Sequence, residues 1–66
     1  MHTQAKDLLF GDTVVFRNEF CHVIEAVANA AGGVNVWLSP TDGLGLDHKI
    51  GVPKQFYFFV TNRLKS

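Results

Sequence analysis

The chain has a single cysteine, Cys21, so no intrachain disulfide is open to it. Small folds with little core often rely on such bridges in oxidising compartments, and their absence points to a reducing, cytoplasmic setting. No apolar run approaches the roughly 20 residues that cross a bilayer, and residues 1–6 lack the apolar stretch of a secretory signal. Export and membrane insertion are therefore not expected. Net charge is also missing: six basic side chains balance six acidic ones. A dedicated nucleic-acid binder draws its affinity from basic groups that displace phosphate counterions, so this balance argues against one. Repeats, linkers and low-complexity tracts are absent as well. The 66 residues are room for one domain, 1–66, with one core.

What is present is apolar and aromatic. Hydrophobic residues make up 47%, including six Phe, one Trp and one Tyr, which is too apolar for a disordered chain. Gly11-Asp12 is a turn signal before Thr13-Val14-Val15-Phe16, whose β-branched and aromatic content predicts a first strand. Arg17-Asn18-Glu19 reads as a tight connection, with Asn18 suited to a left-handed conformation. Residues 20–31 fit two patterns. As a helix over about 19–31, Phe20, Val23, Ile24, Val27 and Ala31 form one stripe that stops at Gly32-Gly33. As a strand, Cys21, Val23 and Val27 take one face and Phe20, Ile24 and Ala26 the other. The Val and Ile content and the short preceding link favour the strand.

Val34, Val36 and Leu38 alternate with Asn35 and Trp37, the pattern of a half-buried strand. Asp42-Gly43 marks a hairpin turn. Leu44, Leu46, His48, Ile50 and Val52 alternate with Gly45, Asp47, Lys49, Gly51 and Pro53, predicting a fourth strand with an irregular start. A short turn at Pro53-Lys54-Gln55 leads to the last strand, Phe56-Tyr57-Phe58-Phe59-Val60. Residues 1–7 and 61–66 read as flexible tails. Five short strands with tight turns predict an all-β fold that forms a closed or nearly closed small barrel, with an α+β fold as the alternative if residues 19–31 are helical.

The segments Leu9-Phe10-Gly11-Asp12-Thr13-Val14-Val15-Phe16, 20–27 and Gly33-Val34-Asn35-Val36-Trp37-Leu38 together resemble an SH3-like small β-barrel of the bacterial and phage type. Gly51-Val52-Pro53-Lys54-Gln55-Phe56 is similar to the stretch that leads into the last strand of eukaryotic SH3 domains. The resemblance covers about residues 8–60 and implies a five-stranded barrel. The Ala-Leu-Tyr-Asp-Tyr-like segment, acidic loop and paired tryptophans of the eukaryotic domains are absent, so binding of proline-rich peptides is not implied. Trp37, Pro53 and Tyr57 are what remains for a similar groove. The Val-Gln-Ile-Tyr motif of plasmid-type dihydrofolate reductase barrels is also missing. A scaffold so widely reused does not itself specify an activity.

Alternation supplies the candidate site. With Val34, Val36 and Leu38 inward, Trp37 points outward; with Phe56, Phe58 and Val60 inward, Tyr57 and Phe59 point outward. Exposed aromatics on so small a body form an apolar patch that fits a partner, unless residues 8–10 cover it. The leading expectation is a non-catalytic binding or adaptor module, docking a protein or a second copy of itself through Trp37, Tyr57 and Phe59. Arg17 and Asn35 are expected as polar neighbours. By analogy alone, such a chain suits an accessory or inhibitor protein of a phage or mobile element. A second reading is a nucleic-acid-binding barrel: acids stop at Asp47, while Lys49, Lys54, Arg63 and Lys65 follow without one. The plainer account of that asymmetry is pairing of the last strand with an acidic early one. A third is an oligomeric enzyme with its site on a symmetry axis. No cofactor is expected, and no metal: His2, His22, His48, Cys21 and Asp47 show no recognised ligand spacing. Catalysis by Cys21 would need a base and a pocket, with His22 or His48 as the available bases.

Overall fold

Three residues with positive φ set the geometry of the first half of the chain. Gly11 (φ 88°) is the third residue of a turn in which Asp12 N–H donates to Leu9 C=O at 3.0 Å, the place where a type II turn demands a positive φ. Arg17 (φ 50°) and Asn18 (φ 64°) are both left-handed, as the two central residues of a type I′ turn must be. That turn twists with its flanking strands and so fixes the next segment as an antiparallel partner. The stretch expected as strand or helix is accordingly a strand.

A computed structural model describes residues 1–63. It contains six strands: β1 (His2–Gln4), β2 (Thr13–Phe16), β3 (Glu19–Ala28), β4 (Gly33–Pro40), β5 (His48–Pro53) and β6 (Tyr57–Asn62). They form one antiparallel sheet in the order β1-β6-β2-β3-β4-β5. Among the described residues the strands are accompanied by a single turn of 3₁₀-helix, Ala5–Asp7. Among the described residues no helix is long and apolar enough to cross a membrane.

The all-β expectation holds, and the five-stranded, closed or nearly closed barrel is corrected to an open six-stranded sheet with edges at β1 and β5. The extra strand comes from residues expected as a tail. His2–Gln4 pairs with β6, and Ala5 N–H continues the contact by donating to Phe56 C=O at 2.7 Å. At the other end β6 runs to Asn62, so the expected tail from residue 61 begins later; residues 64–66 lie outside the described part. The fourth strand of the expectation also begins later, at His48 rather than Leu44. Leu44 and Leu46 are 90% and 88% exposed in the β4–β5 loop: their alternation imitates a strand, but Gly43 and Gly45 break it with nothing to pack against.

β3 carries a further correction. Its register with β4 slips between Val23 and Glu25, which leaves Ile24 as a bulge. The extra residue reverses the phase of alternation: Cys21, Val23 and Ala26 face inward, while Phe20, His22, Glu25 and Val27 face outward. The expected grouping of Val27 with Cys21 and Val23 fails for this reason.

The inner face is lined by Val14, Cys21, Val23, Val34, Val36, Leu38, Phe58 and Val60. The 3₁₀ turn lies against β3 and β4, where Ala5 and Leu8 close the core. Most core side chains are small and β-branched, and each contributes about 1.5–3 kcal/mol on burial. Close packing is most severe at Gly33, where a Cβ would stand 2.6 Å from the Val52 carbonyl oxygen on β5.

Asp12 is the one buried charged residue among those described, 1% exposed. Its carboxylate accepts Nε and Nη2 of Arg63 at 2.9 Å each, and the Leu9 N–H at 2.9 Å. Its carbonyl accepts Val23 N–H at 2.8 Å. A bidentate guanidinium matches the two carboxylate oxygens and offsets the cost of burial. The acidic early segment and basic late segment do meet, at this pair. Asp12→Ala is expected to destabilise the fold by about 3 kcal/mol, since it strands buried donors. Urea denaturation should show a lowered midpoint with unchanged slope. Arg63→Ala should cost as much or more, because it leaves the buried Asp12 carboxylate without its counter-charge.

Candidate docking face

The outer face of the sheet divides into two regions. In the first, register lines up His2, Phe59, Val15 and Phe20 across four adjacent strands, β1, β6, β2 and β3. Phe59, Val15 and Phe20 are 44%, 37% and 57% exposed, and Tyr57 beside them is 58% exposed. The His2 ring meets Phe59 edge-on at 5.3 Å and Tyr57 at 6.5 Å. The Tyr57 hydroxyl accepts Gln4 Nε2 at 3.3 Å. On the other side the next row is Asn62, Thr13, His22 and Ser39, where Thr13 Oγ1 and His22 Nδ1 are 3.3 Å apart. Neither the apolar row nor these flanking residues include a Lys, Arg, Asp or Glu. Leu8 is buried in the core while Leu9 and Phe10 are exposed.

The second region surrounds Trp37. It shares a row with Glu25 on β3 and Lys49 on β5, five residues along β3 from Phe20, or roughly 16 Å at strand rise. Its indole N–H donates to Asp47 Oδ2 at 2.8 Å, and Lys49 Nζ lies 4.4 Å from the ring centroid. Glu25, Asn35, Lys49 and Gly51 complete a shallow depression of about 370 Å³ beside it. Trp37 is therefore half-buried and braced. The structure brings Tyr57 and Phe59 together as expected and places Trp37 apart from them.

Asn35 shares the Trp37 wall, but its Oδ1 accepts Asn29 Nδ2 at 3.0 Å. Asn29 Oδ1 in turn accepts the N–H groups of Ala31 and Gly33 at 3.0 Å each, which pins the β3–β4 turn. Arg17 sits at the β2–β3 hairpin tip with its guanidinium over the Phe16 ring at 5.0 Å. Of the basic residues, Lys49 covers Trp37, Arg63 binds Asp12, and the Lys54 carbonyl accepts Lys6 N–H at 3.3 Å with its side chain exposed. Lys65 lies outside the described residues. Sequence reasoning missed Phe20 and Val15 as part of the face. The two-residue turn was the signal, because it pairs them directly.

The inner rim carries the chain's other chemistry. His48 Nε2 is 2.6 Å from Glu19 Oε1, and Cys21 Sγ lies with them, all three atoms within 4.8 Å of one another. His48 was a candidate in the sequence; Glu19 was not. Burial, then the Glu19 and Asp42 carboxylates, push the Cys21 thiol pKa up. His22, the other expected base, lies on the opposite face.

No family model, curated protein or solved structure matches the chain. Its own geometry carries the functional reading.

Hydrogen bonds from Trp37 and Ser39, followed by the charges of Lys49 and His48, hold Asp47 below the ordinary carboxylate pKa. A lowered folded pKa contributes stability that is full above the unfolded value and lost as pH falls through the folded one. Trp37 fluorescence should therefore stay constant from neutrality down to about pH 4 and change only below it. Asp47→Ala should show the acid-form emission already at neutral pH.

Proposed function

We propose that the protein is a small, non-catalytic binding module that docks a second copy of itself through the row His2, Phe59, Val15 and Phe20, with Tyr57 at its border. The observation that carries this is the register, which lines up Phe59, Val15 and Phe20 from three strands, with His2 from a fourth, in one strip free of Lys, Arg, Asp and Glu. Such a strip in contact with water is unfavourable, and covering it recovers the hydrophobic free energy of each ring. Aromatic side chains are also the usual anchors of interfaces.

A second copy is the favoured occupant on charge grounds. The strip presents no formal charge, and the chain as a whole is neutral, so no like-charge repulsion opposes self-association. A two-fold axis through the strip would place each ring against the same apolar row of its partner, the self-complementary contact of a symmetric dimer. Trp37 is not an anchor in this reading, because Asp47 and Lys49 already satisfy it. An SH3-like scaffold is the fold assignment that goes with the proposal. What supports it is the meander β2–β5 joined at β2 by the last strand, and the bulge that bends the long β3 between the two halves. A cytoplasmic setting fits a chain whose one cysteine is a free, buried thiol.

Sedimentation velocity across a concentration series tests the assignment. The wild type should shift from monomer to dimer, with little dependence on salt. Phe59→Ser and Phe20→Ser should each weaken association tenfold or more, about 1.4 kcal/mol, while circular dichroism still shows the folded sheet. Trp37→Ala should leave it unchanged. A wild-type monomer at every concentration, or dimerisation that falls steeply with salt, would rule out the strip as a self-association site.

A further inference from the structure

The rim cluster on the inner face has no part in the docking strip, and it has features of its own. Glu19 and Cys21 are alternate residues of β3, so both point inward. His48 opens β5 opposite Leu38 of β4 and reaches them diagonally across β4, where Pro40, the partner of Cys21, offers no side-chain donor. Three different donor types thus come from two non-adjacent strands to one place, all within 4.8 Å of one another. The Cys21 thiol is fully buried at the bottom, while the His48 and Glu19 side chains are 24% and 40% exposed at the top. The Phe16 ring lies edge-on to the imidazole at 5.2 Å and limits its movement. The arrangement is a small cup with a sulfur floor, a nitrogen and an oxygen on its lip, and one side open to water.

We propose that Glu19, Cys21 and His48 form a binding site for a single zinc ion.

The donor set selects the metal class. Magnesium and calcium take oxygen ligands almost exclusively, and a thiolate has no place in their shells. Sulfur, imidazole nitrogen and one carboxylate suit zinc, which binds them at about 2.3, 2.0–2.1 and 2.0–2.2 Å respectively. Those bond lengths around a tetrahedral centre put the donors about 3.3–3.7 Å apart. The three donor atoms already lie within 4.8 Å of one another. The Nε2–Oε1 contact of 2.6 Å has to widen by less than about 1 Å on these bond lengths, which two partly exposed side chains can supply. Without metal, the same two groups share a hydrogen bond, so neither is stranded. Three protein ligands leave the fourth position to water on the open side. Bound zinc would also link the start of β3 to the start of β5, which no backbone hydrogen bond does, since β4 lies between them.

Calorimetric titration of the reduced full chain with zinc should give one site per chain. The unfolding midpoint should rise with zinc concentration, since only the folded state assembles the three donors. Cobalt(II) in place of zinc should give a tetrahedral visible spectrum with a sulfur-to-metal charge-transfer band. Glu19→Gln and His48→Gln, whose side chains sit at the rim and leave the core intact, should each weaken zinc binding at least tenfold and reduce the shift in midpoint. Cys21→Ala should abolish the charge-transfer band; its folding is checked by circular dichroism, and the two rim variants carry the test if it fails to fold. The variant His22→Ala, on the opposite face, should bind as the wild type does. Absence of a midpoint shift in the wild type would overturn the site. So would a cobalt spectrum without the sulfur band, or loss of binding confined to the His22 variant. None of these readouts depends on whether the chain dimerises.

Discussion

The sheet is organised around a carboxylate that water does not reach. Asp12 stands just before β2, and its side chain holds the guanidinium that follows β6, while its carbonyl holds the middle of β3. β6, β2 and β3 are neighbours in the sheet, so one residue fixes the relative position of all three. An ion pair here costs desolvation, and an apolar pair would pack as well. What the charge adds is direction. Two parallel N–H···O bonds hold the end of β6 beside the start of β2, beyond a register shift in their pairing between Thr13 and Val14. The docking strip depends on the register of Phe59 against Val15, since a one-residue slip would turn its side chains to the core.

β3 serves both faces of the molecule. Outward it gives Phe20 to the apolar strip and Glu25 to the Trp37 region; inward it gives Glu19 and Cys21 to the rim cluster. A regular ten-residue strand would have kept one alternation throughout, with Glu25 inward and Ala26 outward. The bulge at Ile24 avoids burying that acid. It keeps Val23 and Ala26 both in contact with the core, and it separates two outer regions of different character.

Much of this was legible in the sequence, for a physical reason. In β4 and β6, Val34-Asn35-Val36-Trp37-Leu38 and Tyr57-Phe58-Phe59-Val60 obey a period of two with nothing to disturb it, so the facing of each side chain follows directly. Arg17-Asn18 announced its turn. What remained hidden involves contacts that no local pattern encodes. β1 exists because β6 offers it an edge, and three residues of His-Thr-Gln carry no strand signal alone. The bulge is a slip in the pairing of β3 with β4 between Val23 and Glu25, which no local pattern marks. Leu44 and Leu46 keep the right alternation but have no partner strand. Glu19 and His48 are 29 positions apart, and their meeting depends on β4 placing β5 at the correct height. The strip itself was half visible: Tyr57 and Phe59 could be read from alternation, while Val15 and Phe20 joined them only through the pairing of β2 with both neighbours.

Gly33 has an implication for descent. The Val52 carbonyl occupies the space a methyl group would need, so β4 and β5 can lie this close only if position 33 carries hydrogen alone. Drift elsewhere on the outer wall is cheap, and the aromatic rings could be exchanged without disturbing the scaffold. A distant cousin that had replaced all of them would still betray its kinship by a bare backbone at the point where the third hairpin begins.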